Sequence, residues 1–153
     1  MATAPGRRAG RAASVACAAL LASLPLQARA DACPAGHGDY TSAQARVGKT
    51  LYEAHCAECH LDDLKGNSGP ALAGADFDSY LHFTKISAAQ LLHFAETQMP
   101  YQAPGSLKPD DYRNIFAYIL QVNGYAAGDQ ALTDANARCV SMLPYPGDAK
   151  NKK

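Results

Sequence analysis

The chain has 153 residues, a single-domain length, with 48% hydrophobic and 18% charged side chains and 14 basic residues balanced by 14 acidic ones. Its body carries no basic cluster, which excludes an electrostatic footprint for nucleic acid. Nothing in the composition indicates disorder or internal repeats.

Residues 1–30 are predicted to be a cleaved export signal. Arg7, Arg8 and Arg11 form a positive start, "AASVACAALLASLPL" an apolar run, and Ala28-Arg29-Ala30 a small-residue cleavage site. The run is too short, and too interrupted by Ser23 and Pro25, to cross a hydrocarbon core of about 30 Å as a permanent helix. No stable membrane span is therefore expected after cleavage. Arg7-Arg8 lacks the apolar residues expected just behind a twin-arginine pair, which favours the general secretory route. Cys17 lies inside the run, whereas a lipid-modified cysteine would stand at its end, so it is taken as a small apolar filler. Four of the 14 basic side chains and none of the 14 acidic ones fall in the signal, leaving residues 31–153 with a formal charge of −4.

After the signal, "DACPAGHGDY" is predicted to be an irregular arm. A helix follows, because Thr41-Ser42-Ala43-Gln44 is a capping-box pattern in which the hydroxyl and the amide satisfy free N–H groups. Val47, Leu51 and Tyr52 share a face at helical spacing, Gly48 allows another element to approach closely, and the helix runs directly into Cys56. The stretch from Leu61 to about Phe77 is rich in glycine and aspartate and is predicted to be loop. So long a loop inside a small domain points to a ligand that organises it.

Ser87-Ala88-Ala89-Gln90 is a second capping box. It opens a helix through Leu91, Leu92, Phe94 and Ala95 that ends near Met99, because Pro100 disfavours helical geometry in the residue before it. Turn-rich "PYQAPGSLK" leads to Pro109, which with Asp110 and Asp111 starts the clearest helix. Its apolar face is Tyr112, Ile115, Phe116 and Ile119, and Asn123-Gly124 stops it. A shorter helix is expected between Thr133 and Met142. No stretch shows sustained period-two alternation, so the predicted class is all-α, three or four helices around loops.

The chemistry concentrates in Cys56-Ala57-Glu58-Cys59-His60. Two thiols three positions apart fit a redox-active dithiol, half of a zinc site, or the attachment of a haem. A thioredoxin-like dithiol wants a βαβ surround, and a zinc site wants a second, suitably spaced Cys or His pair. Neither is present. Haem c needs all three residues in this order: the thiols add to its two vinyl groups and the next residue, His60, meets the iron. For the sixth iron position the downstream candidates are Met99, Met142, His82 and His93. Met99 is preferred, because "QMP" stands at a helix end beside a turn, where the side chain is free to reach inwards. Exposed or structural roles are the expectation for the two histidines.

The segment from about Gln44 to Ala127 resembles class I monohaem c-type cytochromes. The resemblance is carried by Gly48 and Tyr52 before "CAECH", by "GPAL" (Gly69 to Leu72), by "QMP", and by an aromatic C-terminal helix. It implies a cytochrome c fold, three to four helices and loops wrapped around one covalently bound haem, with a core of about 44–127 flanked by N- and C-terminal extensions. It also implies that the Pro70 carbonyl accepts the His60 Nδ1–H, and that the Gly48 helix crosses the helix bearing Tyr112 and Phe116. Leu72 and Tyr101 would line the haem crevice. "MPYQAPGSLKPDDYRNIFAYILQVNGY" is similar to periplasmic cytochromes that accept electrons from quinoprotein or flavoprotein dehydrogenases. The implied function is a single-electron carrier in the periplasm, between such a dehydrogenase and an oxidase or another cytochrome of the respiratory chain. Alternatives are a permanently bound cytochrome subunit of a dehydrogenase complex and a haem enzyme such as a peroxidase; the latter wants an open iron position or a second haem motif, and one Cys-x-x-Cys-His is present.

Two departures from the family pattern stand out. Leu61 occupies the place after the haem histidine where many members carry glycine, followed by Asp62 and Asp63. Cys33 and Cys139 are left over, one in each extension. In an oxidising compartment a disulfide between them is the simplest outcome, and closing so long a loop contributes about 4 kcal/mol in the chain-entropy model.

Overall fold

A computed structural model describes residues 1–3, 33 and 39–147. Apart from its first three residues the predicted signal, with Cys17, lies outside the described residues, as does most of the arm that follows it. The elements below belong to the compact unit Ala32–Lys153.

The chain enters through a two-residue strand β1 (Tyr40–Thr41) and passes into α1 (Ser42–His55). The capping box is formed: Thr41 Oγ1 accepts from Gln44 N at 3.2 Å and Gln44 Oε1 accepts from Thr41 N at 3.3 Å. After a break at Cys56 a single turn, α2 (Ala57–His60), carries the second thiol and the histidine. Three longer helices follow: α3 (Gly74–Thr84), α4 (Ala88–Gln98) and α5 (Pro109–Val122). Ser87 and Gln90 cap α4 reciprocally, and α4 gives out at Met99, which is extended (φ −120°, ψ 156°) before Pro100. Strand β2 (Ala127–Gly128) pairs in parallel with β1, Tyr40 against Ala127, so the two ends of the helical core meet. A last turn, α6 (Asp134–Ala137), is capped by Thr133.

The central contact is the crossing of α1 and α5. It is close because Gly48 has no side chain: a Cβ there would lie 1.7 Å from the Asn114 carbonyl oxygen. On either side of that point α1 buries Ala45 and Tyr52, and α5 buries Tyr112, Ile115, Phe116 and Ile119. Tyr52 and Tyr118 stack obliquely with ring centroids 5.4 Å apart.

Three expectations need correction. Val47 is not on the buried face; it is 52% exposed. The face is centred on Gly48, and the neighbouring position is turned about 100° away from it. The loop predicted through Phe77 is already helical from Gly74, with Phe77 and Leu81 buried one turn apart. Ala73 supplies no side-chain cap, so that helix start carries no local signal, and burial of its aromatic face decides it. Finally, the short β1–β2 pair was not expected from the sequence pattern; two residues are too few to show a period.

The C-terminal extension is fastened to the helices by several polar clasps. Gln44 exchanges two bonds with the Leu132 backbone, at 2.7 and 2.9 Å. Arg113 makes a bidentate pair with Asp134, 2.7 Å on each side. Tyr145 is buried against Phe77; its hydroxyl accepts from Gly74 N at 2.9 Å and donates to Asn123, whose amide donates to the Leu72 carbonyl at 2.8 Å. The sulfur atoms of Cys33 and Cys139 stand 2.11 Å apart, with their Cα atoms separated by 5.3 Å.

Candidate functional site

The helices and the 61–73 loop enclose a cavity of about 670 Å³. Cys56, Cys59 and His60 come to it from the junction of α1 and α2, and Ser68 to Leu72 from the loop. Phe77 and Tyr80 of α3, Leu91 and Ala95 of α4, and Tyr112, Ile115, Phe116 and Ile119 of α5 contribute the apolar lining. Met99, Pro100 and Tyr101 enter from the end of α4.

His60 is 8% exposed, and its Nδ1 lies 2.7 Å from the Pro70 carbonyl oxygen. A carbonyl only accepts, so Nδ1 carries the proton and Nε2 keeps the lone pair that binds a metal. The loop is folded back to make this bond: Cys59 O accepts from Asn67 N and Gly69 N, both at 3.0 Å, and His60 O accepts from Gly66 N at 3.0 Å. Gly69 gives the imidazole its space, since a Cβ there would stand 2.7 Å from His60 Cε1.

Cys56 and Cys59 are both free thiols on the cavity wall. Burial, with Cys59 as the lesser cause, pushes the Cys56 thiol up to about 11. Reactive dithiols run the other way, with the attacking sulfur lowered by a nearby positive charge or a helix N-terminus. Among the described residues no three His, Cys, Asp or Glu side chains gather as a metal cluster, so the two thiols lack the partners of a tetrahedral zinc site.

Met99 lines the same cavity, and of the four candidates named for the sixth position it alone does so. Met142 is buried in the core, 5% exposed; His82 pairs with Asp78 at 2.9 Å on the surface, and His93 is exposed. Pro70, Leu72 and Tyr101 all line the cavity, with Tyr101 80% exposed at its rim. His55 is also at the wall. Sequence reasoning named none of Phe77, Tyr80, Leu91 or Leu107 as cavity residues. Phe77 and Tyr80 were hidden with the start of α3, whereas the helical spacing of Leu91 and Ala95 was in view and needed only a partner face.

These residues suit a haem. A mostly apolar pocket of this size takes a large planar hydrophobic group, both thiols and a correctly protonated imidazole open onto it, and glycine replaces bulk at the ring. Cys56 and Cys59 would attach the group, His60 and Met99 would hold the iron, and Pro70 would orient His60.

No curated protein matches the chain. Among solved structures it is similar to a chain of the sulfane dehydrogenase SoxCD from Paracoccus pantotrophus, at 27% identity with a TM-score of 0.51. That likeness covers 67% of this chain and 55% of the other, so this chain spans little more than half of its neighbour. The family described as cytochrome c oxidase, cbb3-type, subunit III, matches residues 43–119, a stretch holding both thiols, His60, Pro70 and Met99. The chain belongs to that family of c-type cytochromes, all-α proteins whose haem transfers electrons.

Proposed function

We propose that this protein is a periplasmic carrier of single electrons, with one haem c attached through Cys56 and Cys59 and its iron held by His60 and Met99. The observation that carries the reading is the convergence of both thiols, a His60 ring fixed at 2.7 Å by Pro70, and Met99 on one cavity of about 670 Å³. When bound, the haem supplies an iron that alternates between ferric and ferrous by one electron. The chain's own groups set how easily. His60 presents Nε2, Met99 a thioether sulfur, a pairing that favours the ferrous state, and Phe116, Ile115 and Ile119 exclude water from the crevice. With His60 and Met99 both holding the iron, the site would suit electron transfer and not substrate turnover.

Residues 1–30 would direct export and be removed, and Cys33 and Cys139 would be oxidised to a disulfide in the periplasm. Among the described residues no helix is long and apolar enough to cross a membrane. The electron donor in this reading is a periplasmic dehydrogenase, and the acceptor an oxidase or another cytochrome. A permanently bound subunit is the second reading, favoured by the likeness to a chain of a dehydrogenase; co-purification with a dehydrogenase at high salt would decide for it.

The test is the purified holoprotein. Its mass should equal residues 31–153 plus one haem that survives denaturation. Its ferric spectrum should show the weak red charge-transfer band of iron–thioether ligation, lost in Met99→Ala. A haem removed by denaturation, or a band that persists in Met99→Ala, would defeat the proposal.

A further inference from the structure

We infer that Tyr112 is the positioning residue that keeps Met99 on the iron; this rests on the His60/Met99 reading above and extends it. Methionine has three rotatable side-chain bonds and little preferred direction. Where its sulfur dwells is therefore set largely by how firmly its backbone is held. At Met99 three hydrogen bonds do the holding. Its N–H donates to the Ala95 carbonyl at 3.1 Å, and its own carbonyl accepts from Gly105 N at 3.1 Å and from the Tyr112 hydroxyl at 2.6 Å.

The first two come from α4 and from the turn itself, so they move with Met99. The third comes from the first turn of α5, the helix locked against α1 at Gly48. Tyr112 is 4% exposed and lines the cavity. Its hydroxyl also accepts from Leu107 N at 3.4 Å, so one oxygen fastens both ends of the 99–107 loop to the rigid helix. Removing that oxygen leaves the crevice wall in place and releases the loop that carries the ligand.

The test is competition for the iron by imidazole, which binds the ferric protein only when the sulfur has left and so reports the population of that state. Tyr112→Phe in the full holoprotein is expected to bind imidazole about fivefold more tightly, the factor one net hydrogen bond represents. The control is Tyr125→Phe, which deletes an equivalent bond, a buried tyrosine hydroxyl to the Met142 carbonyl at 2.7 Å, at a residue that does not line the cavity. It should lose comparable stability and leave imidazole affinity at the wild-type value. Equal affinities in Tyr112→Phe and wild type, or equal gains in the two variants, would overturn the inference while leaving His60/Met99 ligation standing. A Met99→Ala variant that keeps the red band would overturn both. Should Tyr112→Phe fail to fold, 3-fluorotyrosine at position 112 has nearly the same shape and strengthens the short 2.6 Å donation to Met99 more than it weakens the long 3.4 Å acceptance from Leu107, so it should lower imidazole affinity below wild type; no change or a rise counts against the inference.

Discussion

Gly48→Ala separates two effects that point in opposite directions. In an exposed helix interior this change stabilises by roughly 0.5–1 kcal/mol, because alanine loses less backbone freedom on folding. At Gly48 the new Cβ would meet Asn114 O at 1.7 Å, Asn114 C at 2.4 Å and Ile115 N at 3.0 Å. All three are backbone atoms of α5, so no rotamer change relieves the clash. To reach ordinary contact the helices must part by about 2 Å at their crossing, which loosens the packing around Tyr52, Ile115 and Phe116. Overpacking of a tight core costs about 1–3 kcal/mol, and backbone against backbone belongs at the upper end. The net expectation is a loss of about 2 kcal/mol after the propensity gain. Guanidinium unfolding of the holoprotein, followed by circular dichroism, should show a lower midpoint at unchanged slope. A variant as stable as wild type, or more so, would refute the claim that the glycine is there for the crossing.

Leu61 follows the haem histidine at φ 61° and ψ 160°, a region reserved almost entirely for glycine. Leu61→Gly should therefore be more stable than Leu61→Ala by about 1 kcal/mol, the reverse of the usual order; thermal melts in which alanine equals or exceeds glycine would show the backbone to be unstrained. High pH offers another check. Burial holds the Tyr52 and Tyr125 hydroxyls well above their ordinary value of 10. The folded chain keeps these protons where the unfolded chain releases them, so the stability they confer is complete below pH 10 and falls as the pH rises beyond it. Absorbance titration should find the two phenolates appearing only together with unfolding; their appearance near pH 10 in a folded protein would contradict the burial.

Much of the site was legible because its chemistry is local. Cys56, Cys59 and His60 are neighbours, and the order of thiol, thiol and imidazole is itself the attachment pattern. Helix ends were equally legible wherever a cap is written in adjacent residues, as at Thr41 with Gln44, Ser87 with Gln90, and Pro109. The start of α3 was not, because Ala73 and Gly74 carry no cap and the helix exists only by burying Phe77 and Leu81. Val47 misled for a related reason: hydrophobicity placed it on the inner face, whereas close approach at Gly48 fixed where that face lies.

By itself, then, the amino-acid order determined which cofactor chemistry is open to this chain and where its locally capped helices start, because covalent attachment and capping act across one to four residues. It did not determine which distant groups converge. The helix end at "QMP" marked Met99 as the favoured candidate, but it took the tertiary structure to set it, thirty-nine positions beyond His60, on the same cavity. Only the tertiary structure set the Tyr112 hydroxyl on the Met99 carbonyl, and bound Tyr145 of the C-terminal extension to Asn123 and Gly74 behind the crevice. Such contacts depend on how closely two helices approach and which faces they turn inward, and both follow from packing around the cavity as a whole.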